Sequence, residues 1–458
     1  MFCSLKFNSL LLYTFFEKTK NIFRLNMNRK IQPKIQPVEN IRMPESDMYL
    51  LSNGIPLYSL NYSEEEVVRI DCMFRAGIYY QSHPLVASFT NQMMKEGTRN
   101  RTAAEIAEQL DFYGSWLHLS CTHHDAYLTL YSLNKHLRQT IRLIEDMILN
   151  SVFPEKEFQI YRHRRKQQYL IDLEKVQYLS HKRFMAALYG PEHPYGRSAD
   201  SADFDALKRE WIEDFYRGFY ALENSKIIVS GKVTPSILEC VRGVFEKTAS
   251  DLSGQTIQKP EFAITPSTEH HLFIEKNNSL QAAVQIGRTL FNRKHPDFQK
   301  FKILNTVLGG YFGSRLMTNI REEKGYTYGI TSGVTTFPDT GHLLISTQTG
   351  VEYVEPLIRE VSREMERLCT ELIPGEELNT AKNYMLGELV RKIDGGFTPT
   401  DTFISLLANE LDYSFYEKEA DVIRSTTAEE LQELAIQYFN PDRFYEVVAG
   451  GIKKKRNE

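Results

Sequence analysis

Val67-Val68-Arg69-Ile70-Asp71-Cys72-Met73-Phe74 reads as a strand, and a second strand of the same kind, Ala282-Ala283-Val284-Gln285-Ile286-Gly287-Arg288, occurs in the second half of the chain. Apolar and polar residues alternate along such runs, the period-two signature of a half-buried strand. The residues after each run repeat as well. A His-Pro pair comes next, His83-Pro84 and His295-Pro296, and then a helical stretch. Further on, Phe153-Pro154-Glu155-Lys156-Glu157-Phe158 opens a long helical pattern, as Ile373-Pro374-Gly375-Glu376-Glu377-Leu378 does later. Each half closes with a helix and an apolar strand ending in glycine, Lys226-Ile227-Ile228-Val229-Ser230-Gly231 and Tyr445-Glu446-Val447-Val448-Ala449-Gly450. Landmarks in one order at similar spacing mean an internal repeat.

The repeat accounts for a length of 458 residues, too much for one ordinary domain. It predicts a leader over 1–40, a first half over 41–247, a linker over 248–268, a second half over 269–452 and a short tail. The linker is polar, carries Pro260 and Pro266, and lacks periodicity. Alternating strands mixed with helices favour an α+β fold over a doubly wound parallel sheet. Each half is then a mostly antiparallel or mixed sheet with helices on one face. Thr102 with Glu105, and Thr427 with Glu430, form capping boxes, and Gly114 ends the Ala103–Tyr113 helix.

Basic and acidic residues number 55 and 59, so a nucleic-acid partner is not indicated. Cys3, Cys72, Cys121, Cys240 and Cys369 are scattered singly, which fits a reducing compartment. Leu10 to Phe16 is apolar but too short to span a bilayer, and Glu17-Lys18 follows with no small-residue cleavage site. The expectation is a cytoplasmic chain with no membrane partner and a true start near Met27. A periplasmic location is the alternative if the apolar stretch is a signal.

Some clusters invite chemistry. His118, Cys121, His123, His124 and Asp125 carry metal-ligand types. On one continuous strand over Trp116–Leu130, however, 121 and 123 share a face while 118 and 124 share the other, so they do not converge. His163-Arg164-Arg165-Lys166 reads as a solvated helix face. The glycines of Leu308-Gly309-Gly310-Tyr311-Phe312-Gly313-Ser314-Arg315-Leu316 permit close backbone approach or positive φ, and their spacing fits no phosphate loop. Downstream, Arg321 and Tyr328 offer a guanidinium and a phenol. Taken alone, they pair with a nearby acid and pack beside a strand.

Lys95-Glu96-Gly97-Thr98, His193-Pro194-Tyr195-Gly196-Arg197 and the run from Gly309 to Tyr328 resemble the pitrilysin/insulinase metallopeptidase family, which includes the mitochondrial processing peptidase subunits. The resemblance covers about residues 41 to 452. It implies two similar α+β halves that form half of a clamshell around a peptide-sized chamber. Active members carry His-x-x-Glu-His, two histidines for zinc and a glutamate base, with a further glutamate ligand on a later helix. Aligned through Gly97-Thr98, the motif positions here are Ser88, Asn91 and Gln92, and the later ligand falls near Gln167 and Gln168. None of these replaces a zinc ligand or a general base. They are expected to cap or hydrogen-bond locally, with a repurposed polar site as the alternative.

The resemblance gives Arg321 and Tyr328, with Gly309 and Gly310, a substrate-binding role. It implies a chain that binds no metal, with no catalytic residue of its own, and that grips peptide beside a zinc-bearing homologous subunit. The alternatives are an inactive peptide-binding or scaffold homologue, for which a homodimer serves, and an independent enzyme with an unrecognised site.

Overall fold

The computed structural model describes residues 43–246 and 257–451, which lie in one compact unit, Ile41–Glu458. The apolar N-terminal stretch with Cys3, the start of the linker and the tail fall outside the described residues. Among the described residues eleven strands, numbered in chain order, form two sheets, with orders β1-β2-β6-β3-β5-β4 and β7-β11-β8-β10-β9. The first comprises β1 (Asp47–Leu50), β2 (Pro56–Asn61), β3 (Val67–Phe74), β4 (Trp116–Cys121), β5 (Ala126–Leu133) and β6 (Ser225–Gly231). The second comprises β7 (His271–Glu275), β8 (Gln281–Leu290), β9 (Thr327–Thr336), β10 (Gly341–Gly350) and β11 (Tyr445–Gly450).

From β2 and β7 onward the two sheets have the same order and the same directions. β2 runs parallel to β6 as β7 does to β11, and the remaining neighbours are antiparallel. The helices repeat too. After each hairpin, Leu137–Asn150 or Val354–Thr370 follows, then Glu155–Asp172 or Gly375–Arg391, each preceded by an extended proline. The third of each series is Val176–Tyr189 or Thr398–Ala408. Both capping boxes form, and Gly114 stands just past the Ala103–Phe112 helix with φ 59.

The α+β class is as expected, two sheets with helices, and the helices cover more than one face of each. β3 and β8 are buried along nearly their whole length, including the residues read as a polar face. The second face of each sheet is covered by a helix from the other half. Val176–Tyr189, from the first half, lies on β8 and β11, where Val176 and Leu179 meet Ala283, Ala449 and Ile274. Thr398–Ala408, from the second half, lies on the first sheet, where Phe403 and Ile404 meet Leu60, Met73 and Ile228. Polar alternates are therefore spent at this exchange. Arg69 makes a two-pronged ion pair with Asp71 at 2.8 and 3.0 Å and donates to Asp401 at 2.7 Å. Tyr62 bonds Thr400 at 2.6 Å, and Tyr189 bonds His342 at 3.0 Å.

The described part of the linker is fastened to the first half. Thr265 N–H donates to the Tyr189 carbonyl and Ser267 N–H to that of Ala187. Phe262 meets Tyr79 edge-on beside the His-Pro-Tyr segment, where Tyr195 stacks on Phe337 at 3.8 Å. The His118–Asp125 cluster also differs from a single strand. β4 stops at Cys121 and β5 begins at Ala126, because Thr122 and Asp125 close a turn, with Asp125 N–H donating to the Thr122 hydroxyl at 3.1 Å. His124 bonds the Tyr195 hydroxyl at 2.6 Å and stacks on Tyr79, His123 packs against Phe337, and His118 is exposed.

Burial there sets a pH dependence. It pulls the His123, His124 and His342 imidazoles down to about 4, helped by neighbouring His193, Lys259 and His181 respectively. Between an unfolded value of about 6.5 and about 4, the unfolded chain binds protons that the folded chain excludes, so stability falls as pH drops. Each such histidine adds a slope of at most about 1.4 kcal/mol per pH unit. Asp125, pushed by burial up to about 6, acts the opposite way. Three groups outweigh one. The melting temperature should fall from pH 7 to pH 5, and Asp125→Asn should steepen the fall; a flat profile in calorimetry would contradict this balance.

Candidate functional site

The stretch from Phe298 to Tyr328 is held by its polar and small residues. The Phe298–Asn305 helix widens into a π-type turn over Thr306–Gly310. Gly309 is buried against β9: an added Cβ would lie 2.8 Å from the Ser332 Cβ and 2.9 Å from Leu316 Cδ1, so a side chain there would push the helix off the strand. Close approach, and not positive φ, is what glycine supplies. Gly310 is half-buried and lines a cavity of about 450 Å³ with Lys302, Lys392 and Glu419.

After the loop, buried Arg315 grips Glu377 with two hydrogen bonds of 2.8 and 3.0 Å. Such a fork fixes orientation as well as distance. A second wide turn, Met317–Glu323, is anchored by Asn319 donating to Glu364 at 2.6 Å and to Glu360 at 3.1 Å. Gly325 then takes φ 65, the left-handed value glycine tolerates, and the chain enters β9. Tyr326 stacks on Tyr353, and the Thr327 hydroxyl donates to the Gln348 carbonyl at 2.6 Å.

Set in this frame, Arg321 and Tyr328 face outward. Tyr328 is 94% exposed, and among the described residues its phenol has no hydrogen-bond partner. The Arg321 guanidinium lies 4.8 Å over the Phe312 ring, with its nearest carboxylate, Glu322, at 4.0 Å. Phe312 is itself 63% exposed. Tyr328 lies on β9 itself with its ring exposed, unlike the packing read for it apart from the resemblance, whereas Arg321 does have an acid nearby in Glu322. Sequence reasoning missed Phe312 as a member of this surface, because a bulky aromatic after two glycines reads equally well as core.

Of the five degenerate zinc positions, Asn91 is buried, Ser88 and Gln92 are half-buried, and Gln167 and Gln168 are exposed. Ser88, Asn91 and Gln92 lie on the Val86–Met93 helix, packed against the Arg209–Phe219 helix and β4. Ser88 Oγ donates to the Leu85 carbonyl at 3.0 Å, fully buried Asn91 donates to Tyr127 O at 3.2 Å, and Gln92 donates to Leu119 O at 2.5 Å. The amides thus stitch the helix to the β4–β5 hairpin. Gln167 and Gln168 are exposed on Glu155–Asp172, where Gln168 donates to Asp172 at 3.2 Å. No imidazole or carboxylate is presented at these five positions, and the side-chain amides of Asn91 and Gln92 are already engaged. This donor set does not fit zinc. Among the described residues, no group of three or more His, Cys, Asp or Glu side chains is placed to hold a metal ion.

The neighbouring charges have ordinary roles. His163, Arg164 and Arg165 are exposed, and Lys166 pairs with Asp205 at 2.6 Å. Cys72, Cys121, Cys240 and Cys369 are free thiols. No helix among the described residues is long and apolar enough to cross a membrane.

Sequence comparison matches residues 206–385 to the family described as "Peptidase M16 inactive domain". The uncharacterized zinc protease YmxG of Bacillus subtilis is 24% identical over 357 residues, 76% of this chain and 84% of that protein. An uncharacterized zinc protease of Mycobacterium leprae is 25% identical over 81% of this chain and 83% of its own length. In fold, the crystal structure of a peptidase M16 inactive domain from Pseudomonas fluorescens superposes with a TM-score of 0.81, at 22% identity over 89% of this chain and 98% of that one. The periplasmic protease PqqL from Escherichia coli gives 0.73 at 15% identity, over 93% of this chain and 49% of its own.

Proposed function

We propose that this chain, matched over residues 206–385 by the peptidase M16 inactive-domain family and similar along most of its length to uncharacterized zinc proteases, is the peptide-gripping subunit of a two-chain zinc peptidase. The zinc belongs to a homologous partner. One observation carries the reading: Tyr328 projects from a rigid frame with its phenol unspent, beside a half-buried Arg321 whose nearest carboxylate is 4.0 Å away, while Ser88, Asn91 and Gln92 spend their polar groups on the chain's own backbone.

A guanidinium donates to peptide carbonyls in fixed directions, and a phenol donates to a developing oxyanion. The substrate backbone adds to an open sheet edge. β4 and β9 are the outer strands of their sheets, and Tyr328 stands near the start of β9. Strand addition reads backbone more than side chains, which suits short unfolded peptides of varied sequence.

Mixing the purified chain with a zinc-bearing homologue tests this. Peptidase activity should appear, or rise at least about tenfold, only in the mixture. If the homologue alone works equally well, the chain is a scaffold or peptide-holding protein and the reading fails.

A further inference from the structure

The two halves differ at one corner. In the first, β1 covers the outer edge of β2, and after β6 the chain forms the Pro235–Phe245 helix. That helix buries Ile237, Val241, Val244 and Phe245 and packs against Leu137–Asn150. The two extra elements are tied together, since Asn53, between β1 and β2, donates to the Phe245 carbonyl at 2.7 Å. Among the described residues the second half has neither. β7 has no strand on its outer edge, and no helix is described after β11.

A groove of about 390 Å³ lies where those elements would pack. Its floor and one wall are apolar, formed by Phe273 and Val448 on the sheet and by Val351, Val354 and Ile358 at the start of the Val354–Thr370 helix. Phe273 is 56% exposed, although its strand partner Val448 is buried. Among the described residues the charged side chains lining the groove are Glu352, Glu355 and Glu446, with His271 3.6 Å from Glu446 and, just outside the lining, Arg359 4.0 Å from Glu355. An apolar trough with an acidic rim selects for sign as well as shape.

We propose that this groove docks an amphipathic helix from a partner protein, with an apolar face and a basic flank, in the place that Pro235–Phe245 fills in the first half. The apolar spacing of that helix, Ile237, Val241, Val244 and Phe245, is the i, i+4, i+7, i+8 pattern of a helix laid in a groove. The docked helix differs in needing lysines or arginines beside its apolar stripe, to meet the three carboxylates. The site lies on the β7 side of the second sheet, whereas Tyr328 belongs to β9 at the opposite edge.

The probe is a fluorescein-labelled peptide of roughly 18 residues, long enough to hold helix in water, with that apolar spacing and lysines elsewhere. Fluorescence anisotropy with the full chain should show saturable binding. Phe273→Asp, or Glu355→Lys at a residue whose side chain is 88% exposed, should each weaken it at least about tenfold. Replacing the peptide's lysines by glutamates should do the same, and Glu108→Ala, at an exposed residue of the Ala103–Phe112 helix, should change nothing. The two variants alter exposed side chains, and unchanged melting temperatures will show that the fold survives. Absent binding, or equal binding of the glutamate peptide, overturns the proposal. Loss with Arg321→Ala but not with Phe273→Asp moves the peptide to the other face and overturns it as well. Self-association of the chain that Phe273→Asp abolishes gives the groove to a second copy. Tighter peptide binding on removing residues 452–458 gives it to the chain's own end. Either result replaces the partner helix.

Discussion

Arg321→Ala and Tyr328→Phe should each lower the kcat/KM of the reconstituted two-chain peptidase by about 10²–10³-fold, the range seen when one preorganised oxyanion donor is removed. Tyr328→Phe is the sharper test. The phenol is 94% exposed and makes no hydrogen bond with the described residues, so deleting its oxygen should leave the free chain's melting temperature unchanged. Arg321→Ala removes a half-buried cation resting on exposed Phe312, with a modest effect on stability. The two substitutions should differ in kinetic character. A group that meets only the transition state lowers kcat, whereas a group that also holds the ground-state peptide raises KM. The expectation is a kcat loss for Tyr328→Phe and a mixed loss for Arg321→Ala. Activity unchanged in both variants would remove the pair from the mechanism.

Arg69→Met should destabilise the chain by about 3–5 kcal/mol, the usual cost of removing one member of a buried ion pair. Asp71 is fully buried on β3, and apart from Arg69 its side-chain partner is the Thr129 hydroxyl at 2.7 Å. Without the guanidinium, a carboxylate is left in the sheet with one neutral donor, and the link to Asp401 on the Thr398–Ala408 helix is cut. Asp401→Asn should cost far less, because that side chain is 65% exposed and water replaces the bond. Denaturant unfolding of the two variants separates a buried charge from a surface contact. Equal losses would show that the bridge to Asp401 matters more than the Arg69–Asp71 pair.

Local chemistry made much of the fold readable. Capping boxes at Thr102 and Thr427, the prolines before Glu155 and Gly375, and the glycine-ended strands all act within a few residues, so one sequence displays them. The exchange of helices was not readable. Arg69 and Asp71 carry the alternation of a strand with one wet face, and nothing local says that Asp401, far away in sequence, will sit there. The turn at Thr122–Asp125 was hidden for a different reason: it contains neither glycine nor proline and is closed by a threonine side chain. For the site, the residues at 88, 91 and 92 were legible as absent ligands, yet their bonds to Tyr127 and Leu119 depend on where the hairpin lies. The outward aim of Arg321 comes from Arg315 and Asn319, whose partners are on two later helices.

The exchanged helices also limit how the two halves can diverge. Phe184 belongs to the first half, but it packs at Gly287 and His342 of the second, where an added Cβ on Gly287 would lie 2.7 Å from its ring. A substitution at Phe184 is therefore judged by its twin's sheet, and one at Phe403 by Met73 and Ile228. Neither repeat can be replaced by a foreign copy as a module, because each would arrive with a helix shaped for a different neighbour.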